Sequence, residues 1–429
     1  MQGTPTLVGW WANFDDFLLS DLVMQALQAN TTVLGAQAAL RQARALRDAA
    51  AGGLWPTVGA SVSAQRSRAG GNPSSNAFNL GLDASWELDV FGAKRNAVNS
   101  AQALAQASSA TLGNIQVSVT AEVALAYIGL RNAQARAALA SDNLVSGQDT
   151  LQITLWRLQA GLVTELEAEQ ARASVAQTRA LLPSLQVAIE SNSHALAVLT
   201  GQGPAALMVT LATTGPLPQA QVGLALDIPA NTLRQRPDVQ AAEFQVLAAS
   251  ANVAGANAAL LPNFKLGGSL GLNALRLGDL TNGAAVFNSL LASVSLPLLN
   301  GGTLRAQVRA QQAALDQAQL AYQGAVLTAL KDVEDALVAL RGDQLRRISL
   351  QRASASATNA DTLARQRFGS GLVDFQVVLE TQRTRLSTQD AVASASADVA
   401  ADHVRLYKAL GGGWQPSVGE IAQTPRPQQ

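Results

Sequence analysis

Phe78-Asn79-Leu80-Gly81-Leu82-Asp83-Ala84-Ser85-Trp86-Glu87-Leu88 sets Phe78, Leu80, Leu82, Ala84, Trp86 and Leu88 against Asn79, Asp83, Ser85 and Glu87 in strict alternation. Successive side chains of a strand point to opposite faces, so the segment reads as a strand with one apolar and one polar side. Residues 57–65 have the same period, Val58, Ala60, Val62 and Ala64 opposing Thr57, Ser61, Ser63 and Gln65. Later in the chain Phe264, Leu266, Leu270 and Leu272 oppose Lys265, Ser269 and Asn273. Leu290, Ala292, Val294 and Leu296 then oppose Ser289, Ser293 and Ser295. Alternation over about 9 to 11 residues is what a transmembrane strand shows, apolar toward lipid and polar toward a wet lumen. A half-exposed soluble sheet carries the same pattern. Context favours the membrane, because the flanking sequence offers no soluble core to cover the apolar faces, and residues 66–77 and 274–286 are Gly/Asn/Ser-rich rim loops.

The strands are separated by very long helices. Residues 93–159 and 303–367 contain no proline, and apolar residues recur three and four apart, as at Leu112, Ile115, Val119, Val123, Ala126 and Leu130. At 1.5 Å per residue such a segment extends on the order of 100 Å, so neighbouring helices must cover its stripe in a coiled-coil arrangement.

The order of elements repeats. Ala51-Gly52-Gly53-Leu54-Trp55-Pro56-Thr57 matches Asn257-Ala258-Ala259-Leu260-Leu261-Pro262-Asn263. Val123, Ala126, Leu130 and Arg131 match Val333, Ala336, Leu340 and Arg341, and at the same offset Arg157, Gly161, Leu162 and Val163 match Arg367, Gly371, Leu372 and Val373. The chain is therefore expected to be a tandem duplication. Its first copy spans 1–220, with a β-hairpin at about 57–88 and a helical hairpin at about 93–200. Its second spans 221–414, with a hairpin at about 263–298 and helices at about 303–410, and residues 415–429 are expected to be a disordered tail.

Composition removes other classes. Charged residues are 14% and aromatics 4% of the 429 residues, closer to a helical coiled-coil protein than to an average enzyme. Lys plus Arg equals Asp plus Glu, so no field gathers nucleic acid. There is no cysteine, which removes thiol chemistry and cysteine metal sites, and His194 and His403 are expected on helix surfaces. No nucleotide loop, metal cluster or nucleophile–base pair stands in the sequence, so no enzyme and no cofactor is expected. The first eight residues lack the regions of a signal peptide, so an exported protein is expected to have lost its leader.

Four strands cannot close a membrane barrel, because edges unpaired in lipid are too costly and the smallest barrels need about eight. Oligomers follow. Two chains give eight strands and a filled interior, whereas three give twelve and a wider lumen, which a polar inner face favours. The same symmetry is expected to arrange the long helices into a tube. The fold class is thus a mixed α and β membrane protein: four strands per protomer, a trimeric twelve-stranded barrel, and a coiled-coil helical barrel.

Three motifs carry a family resemblance over nearly the whole chain: Trp86-Glu87-Leu88-Asp89-Val90-Phe91-Gly92, then Leu233-Arg234-Gln235-Arg236-Pro237-Asp238-Val239 followed by Glu243, and Leu406-Tyr407-Lys408-Ala409-Leu410-Gly411-Gly412-Gly413-Trp414. Together they resemble the TolC-like outer-membrane factors, in particular the NodT-type lipoproteins of resistance-nodulation-division (RND) efflux systems. The resemblance implies a homotrimeric outer-membrane channel with its helices in the periplasm, working with a periplasmic adaptor and an inner-membrane pump. It also implies a lipid on an N-terminal cysteine, which this sequence does not contain. A type I secretion duct is the alternative within the class, and a flagellin-like filament is the alternative outside it.

Candidate site residues follow. Arg157, Gly161, Leu162 and Val163, with Arg367, Gly371, Leu372 and Val373, occupy two helix-reversing turns whose glycines permit the backbone conformation and whose apolar residues are expected to be exposed. By resemblance these tips dock the adaptor. Glu380 stands where related channels carry Asp in a Leu-Asp-Ala-Gln-Arg stretch, and threefold symmetry would make it a ring of charge closing the tunnel, with Asp374 the runner-up. Asp83, Glu87 and Lys265 fall on the predicted barrel lumen.

Overall fold

The computed structural model describes residues 7–414 except 69, 72, 221–234 and 282. Leu233, Arg234, part of the 66–77 loop and the 415–429 tail lie outside the described residues. After a 3₁₀ segment, Leu7–Phe14, come α1 (Phe17–Ala29), α2 (Thr31–Gly52), β1 (Thr57–Ser67), β2 (Ser75–Leu88), α3 (Ala93–Gln159), α4 (Glu165–Leu199) and a short α5 (Met208–Ala212). Then follow α6 (Pro237–Ala258), β3 (Asn263–Ala274), β4 (Val286–Ser295), α7 (Thr303–Gly369) and α8 (Phe375–Ala409). The 67-residue α3 precedes the 35-residue α4, and the 67-residue α7 precedes the 35-residue α8.

The chain packs as two compact units, each assembled from separate segments. One, residues 37–111 and 238–325, contains an antiparallel sheet in the order β1-β2-β3-β4. Its register lays Val62, Leu80 and Leu272 side by side, and likewise Trp86, Leu266 and Ala292. Asp83 meets Gly59 and Ser269, and Glu87 meets Lys265. One sheet face is therefore mainly apolar across the four strands, with Asn288 opposite Leu270 and the Arg66–Asn76 pair near the hairpin end as exceptions, and the other is mainly polar. Phe287 and Leu291 are exceptions on the polar face, where their register partners are Gly271 and Gly267. The Phe287 ring occupies the space a Cβ at Gly271 would need.

The first hairpin is longer than its apolar pattern indicates. Alternation stops at Gln65, yet Arg66 pairs with Asn76 and Ser67 with Ser75, because ladder bonds join backbone groups whatever the side chains are. In the second hairpin β4 already begins at Val286, two 3₁₀ turns fill the connection, and β4 ends at Ser295 rather than 298, just ahead of Pro297, which has no N–H to donate.

The other unit, residues 1–36, 112–237 and 326–429, is helical. The stripe read on α3 faces its core: Val119, Val123 and Leu130 are buried with Trp10, Leu19, Leu22, Leu196, Val404 and Tyr407, and Leu112, Ile115 and Ala126 pack against them. Asp16 caps α1 by accepting from the Leu19 N–H at 3.0 Å. Asn30 ends α1 and starts α2, its Oδ1 accepting from Thr32 and Val33. His403 is half-buried rather than a surface residue, its Nδ1 enclosed without a partner, because α8 is buried on several sides at Val399, Val404 and Leu406.

Candidate functional site

The two turns share one geometry. Leu162 N–H donates to Arg157 C=O (2.8 Å) and Gly161 N–H to Leu158 C=O (2.9 Å); Leu372 donates to Arg367 (2.9 Å) and Gly371 to Phe368 (3.0 Å). This pair of bonds requires a left-handed residue, supplied by Gly161 at φ 71° and Gly371 at φ 74°. Leu162 and Leu372 are each 74% exposed. Val163 and Val373 are half-buried rather than exposed as expected. Arg367 is exposed. Arg157 is committed elsewhere: its guanidinium lies 4.2 Å from the Phe368 ring centroid and donates to the Phe368 carbonyl at 3.3 Å.

The helices leaving the turns differ in charge. Thr164 precedes α4, its N–H donating to Glu167 at 2.6 Å, and Glu165 and Glu169 flank Arg172. Exposed Asp374 precedes α8, where a carboxylate favours the positive end of the helix dipole. Glu380 is exposed, next to buried Val378 and Leu379, and makes no ion pair among the described residues.

Behind these residues lies a polar network that local patterning scarcely marks. Asp361, 1% exposed, accepts from Arg365 Nε at 3.1 Å and Arg385 Nη1 at 2.6 Å. Arg385 also donates to Asn143, Arg365 to Ser146, and Gln382 to Thr150. Arg136 grips both oxygens of Asp390 at 2.6 and 3.0 Å. Only the Asp361/Arg365 spacing of four is visible in sequence. A second network centres on the buried Tyr127, Arg131 and Gln134: Tyr127 donates to Asp16 at 2.8 Å, and Arg131 donates to Tyr127, Gln134 and the Thr213 carbonyl. Burial pushes the Tyr127 hydroxyl up to about 12.

On the polar sheet face Asp83 accepts from Ser61 at 3.1 Å, while Ser269 beside it bonds Ser289 at 2.7 Å. Glu87 pairs with Lys94 at 3.2 Å, accepts from Asn263, and faces Lys265 in register. No metal-holding cluster occurs among the described residues.

A helix-dominated chain with a four-stranded sheet, apolar on one face and exposed along both edge strands, has the make-up of a membrane channel protomer. The description of outer membrane efflux proteins as a family matches residues 22–202 and 228–412. Pyoverdine export outer membrane protein OpmQ of Pseudomonas aeruginosa is 31% identical over 418 residues, 95% of this chain and 87% of that protein. Nodulation protein T of Rhizobium leguminosarum bv. viciae is 30% identical over 96% of this chain and 86% of its own length. Among solved structures, the outer-membrane channel OprN superposes with a TM-score of 0.91 at 37% identity, covering 96% and 94% of the two chains. The open state of the Neisseria gonorrhoeae channel MtrE gives 0.84 at 27% identity, covering 96% and 94%. The chain belongs to the outer membrane efflux protein family.

Proposed function

We propose that the protein is the passive exit duct of a tripartite RND-type efflux system for drugs or other small toxic compounds, standing in the outer membrane as a homotrimer. Three sheets close a twelve-stranded barrel, the long helices line a periplasmic tunnel, and the native chain carries an N-terminal lipid. Energy comes from the inner-membrane pump. The observation that carries this reading is the sheet register, which gathers most apolar residues of the four strands on one face, Phe287 and Leu291 excepted, and leaves β1 and β4 at open edges. Edges of that kind in lipid require closure by other copies. The relatives named for pyoverdine export and for toluene efflux support an export role. Repetition of helices, two strands and a 67-plus-35-residue helix pair supports descent from a duplicated unit.

The adaptor docks at the two turns through Leu162 and Leu372, with Gly161 and Gly371 holding the backbone, Arg157 tying the first turn to Phe368 beside the second, and Arg367, Val163 and Val373 beside them. Glu380 closes the tunnel with Asp374 near it, since an unpaired carboxylate repeated by threefold symmetry concentrates charge at the axis. Asp83, Glu87 and Lys265 line the barrel lumen. Conductance in planar bilayers tests both levels. Trimers that rarely conduct, and that conduct more after Glu380→Ala, are the expected result. Unchanged conductance removes Glu380 from the gate, and a detergent-free polymer would sink the channel itself.

A further inference from the structure

The face of α8 that packs on α7 is a seam of apolar residues, Val399, Leu406 and Ala409 against Val333, Ala336 and Leu340. Two aspartates interrupt it. Asp402 follows Val399 by three positions and precedes Leu406 by four, and Asp343 follows Leu340 by three, so each continues its helix's share of the stripe. Asp402 is 1% exposed. Its Oδ1 accepts from Arg405 at 2.6 Å, while its Oδ2 is enclosed and receives no hydrogen bond. Across the seam, the group within hydrogen-bonding reach of Asp402 is the Asp343 carboxylate, itself held by Arg346 Nε at 3.0 Å. The other charges lie elsewhere. Arg346 also holds Asp398, and Arg347, one turn past Asp343, makes no ion pair among the described residues and turns its charge on His403. The other buried face of α8, with Ala397, Ala400, Val404 and Tyr407, packs in the main core, where Asp16 and Arg131 are tied to Tyr127.

Two ionised carboxylates have no hydrogen to share, and an enclosed oxygen left bare costs free energy. We infer that Asp402 keeps its proton in the folded protein and donates it from Oδ2 to Asp343, a latch between α7 and α8 that is closed on the acid side and released as pH rises. Every polar atom of the pair then has a partner: Asp402 Oδ1 accepts from Arg405, and Asp343, still ionised, accepts from both Arg346 and Asp402. Burial, joined by Asp343 and opposed by Arg405, lifts the Asp402 carboxyl above its ordinary value of 3.8. Release leaves two negative charges facing each other, one of them fully enclosed, so the helices are held less firmly. Both aspartates belong to one compact unit of one protomer, so the latch does not depend on the duct reading. The hairpin that it fastens is the one closed by the Gly371 turn and carrying Glu380.

Thermal unfolding from about pH 4 to about pH 9 tests this in full-length His403→Gln protein, the parent, in which the imidazole no longer titrates. A raised carboxyl contributes stability that is complete below its ordinary value and is lost as pH climbs through the folded one. Asp402→Asn keeps a donor that does not titrate, so the parent should lose a few degrees of midpoint relative to it toward alkaline pH. Asp343→Asn offers Asp402 an amide donor in place of a carboxylate and should flatten the same loss. Infrared spectra provide a readout that needs no stability measurement: at about pH 6 the carbonyl band of a protonated carboxyl should be present in the parent and missing from Asp402→Asn. Midpoints of parent and Asp402→Asn that run parallel across the range overturn the latch, as does a parent without that band. A loss that survives Asp343→Asn unchanged overturns Asp343 as the acceptor.

Discussion

His403 shows how one side chain reports its surroundings. Burial, and secondarily the charge of Arg347, hold its imidazole below the ordinary value of 6.5. The neutral form is therefore preferred in the folded protein, while the unfolded chain takes up a proton first as pH falls. Stability is unaffected above about 6.5 and falls as pH drops from there through the folded-state value. Thermal unfolding followed at pH 7 and pH 5 should show a larger drop in midpoint for the native protein than for His403→Gln. Equal drops would place the acid sensitivity elsewhere. Sequence could not foresee this burial, because a histidine in an Ala-rich helix carries no mark of how many helices surround it. Arg131 is a similar case: it was visible as a repeat match to Arg341, but its four bonds to Tyr127, Gln134 and Thr213 depend on partners up to 82 residues away.

Among the elements, α8 is tied to its neighbours through a buried carboxylate. Asp361 on α7 binds Arg385 on α8, and Arg385 continues to Asn143 on α3. Asp361→Ala leaves the mostly covered Arg385 and the partly exposed Arg365 without their carboxylate and is expected to cost on the order of 3 kcal/mol. An apolar replacement of both charges, Asp361→Leu with Arg385→Met, should recover much of that loss, since a buried ion pair is weak evidence of net stabilisation. Denaturant unfolding of the three proteins checks the order, and a loss under about 1 kcal/mol in the single variant would mean the pair is solvated in solution. Element types were far more legible than this network. Periods of two and of three-to-four survive in sequence because each is a property of one segment and one buried face. The ends were less legible: Arg66 and Ser67 extend β1 by backbone pairing that side-chain polarity does not encode. The partial burial of Val163 and Val373 was hidden for a related reason, since turn chemistry identifies the glycine and not how far the neighbouring side chains are covered.

For the whole molecule the decisive question is what covers the open edges of β1 and β4. The two strands stand at opposite sides of the sheet, three strand spacings or about 14 Å apart. A disulfide needs Cα atoms within about 7 Å, so cysteines placed on β1 and β4 of one protomer cannot reach each other. In a closed trimer β1 of one protomer pairs with β4 of the next, and there the distance is met. Ser61→Cys combined in turn with cysteine at Ser289, Ser293 or Ser295 samples the register of that seam on the polar face. Oxidation should give covalent dimers and trimers for one of the three combinations, with the ladder ending at three, and each single cysteine should give none. The ladder's end distinguishes the closures: two copies would stop it at the dimer, and an open filament would carry it past the trimer. Absence of cross-links in all three combinations, with membrane insertion intact, would mean that the edges are covered by something other than a second copy of this sheet.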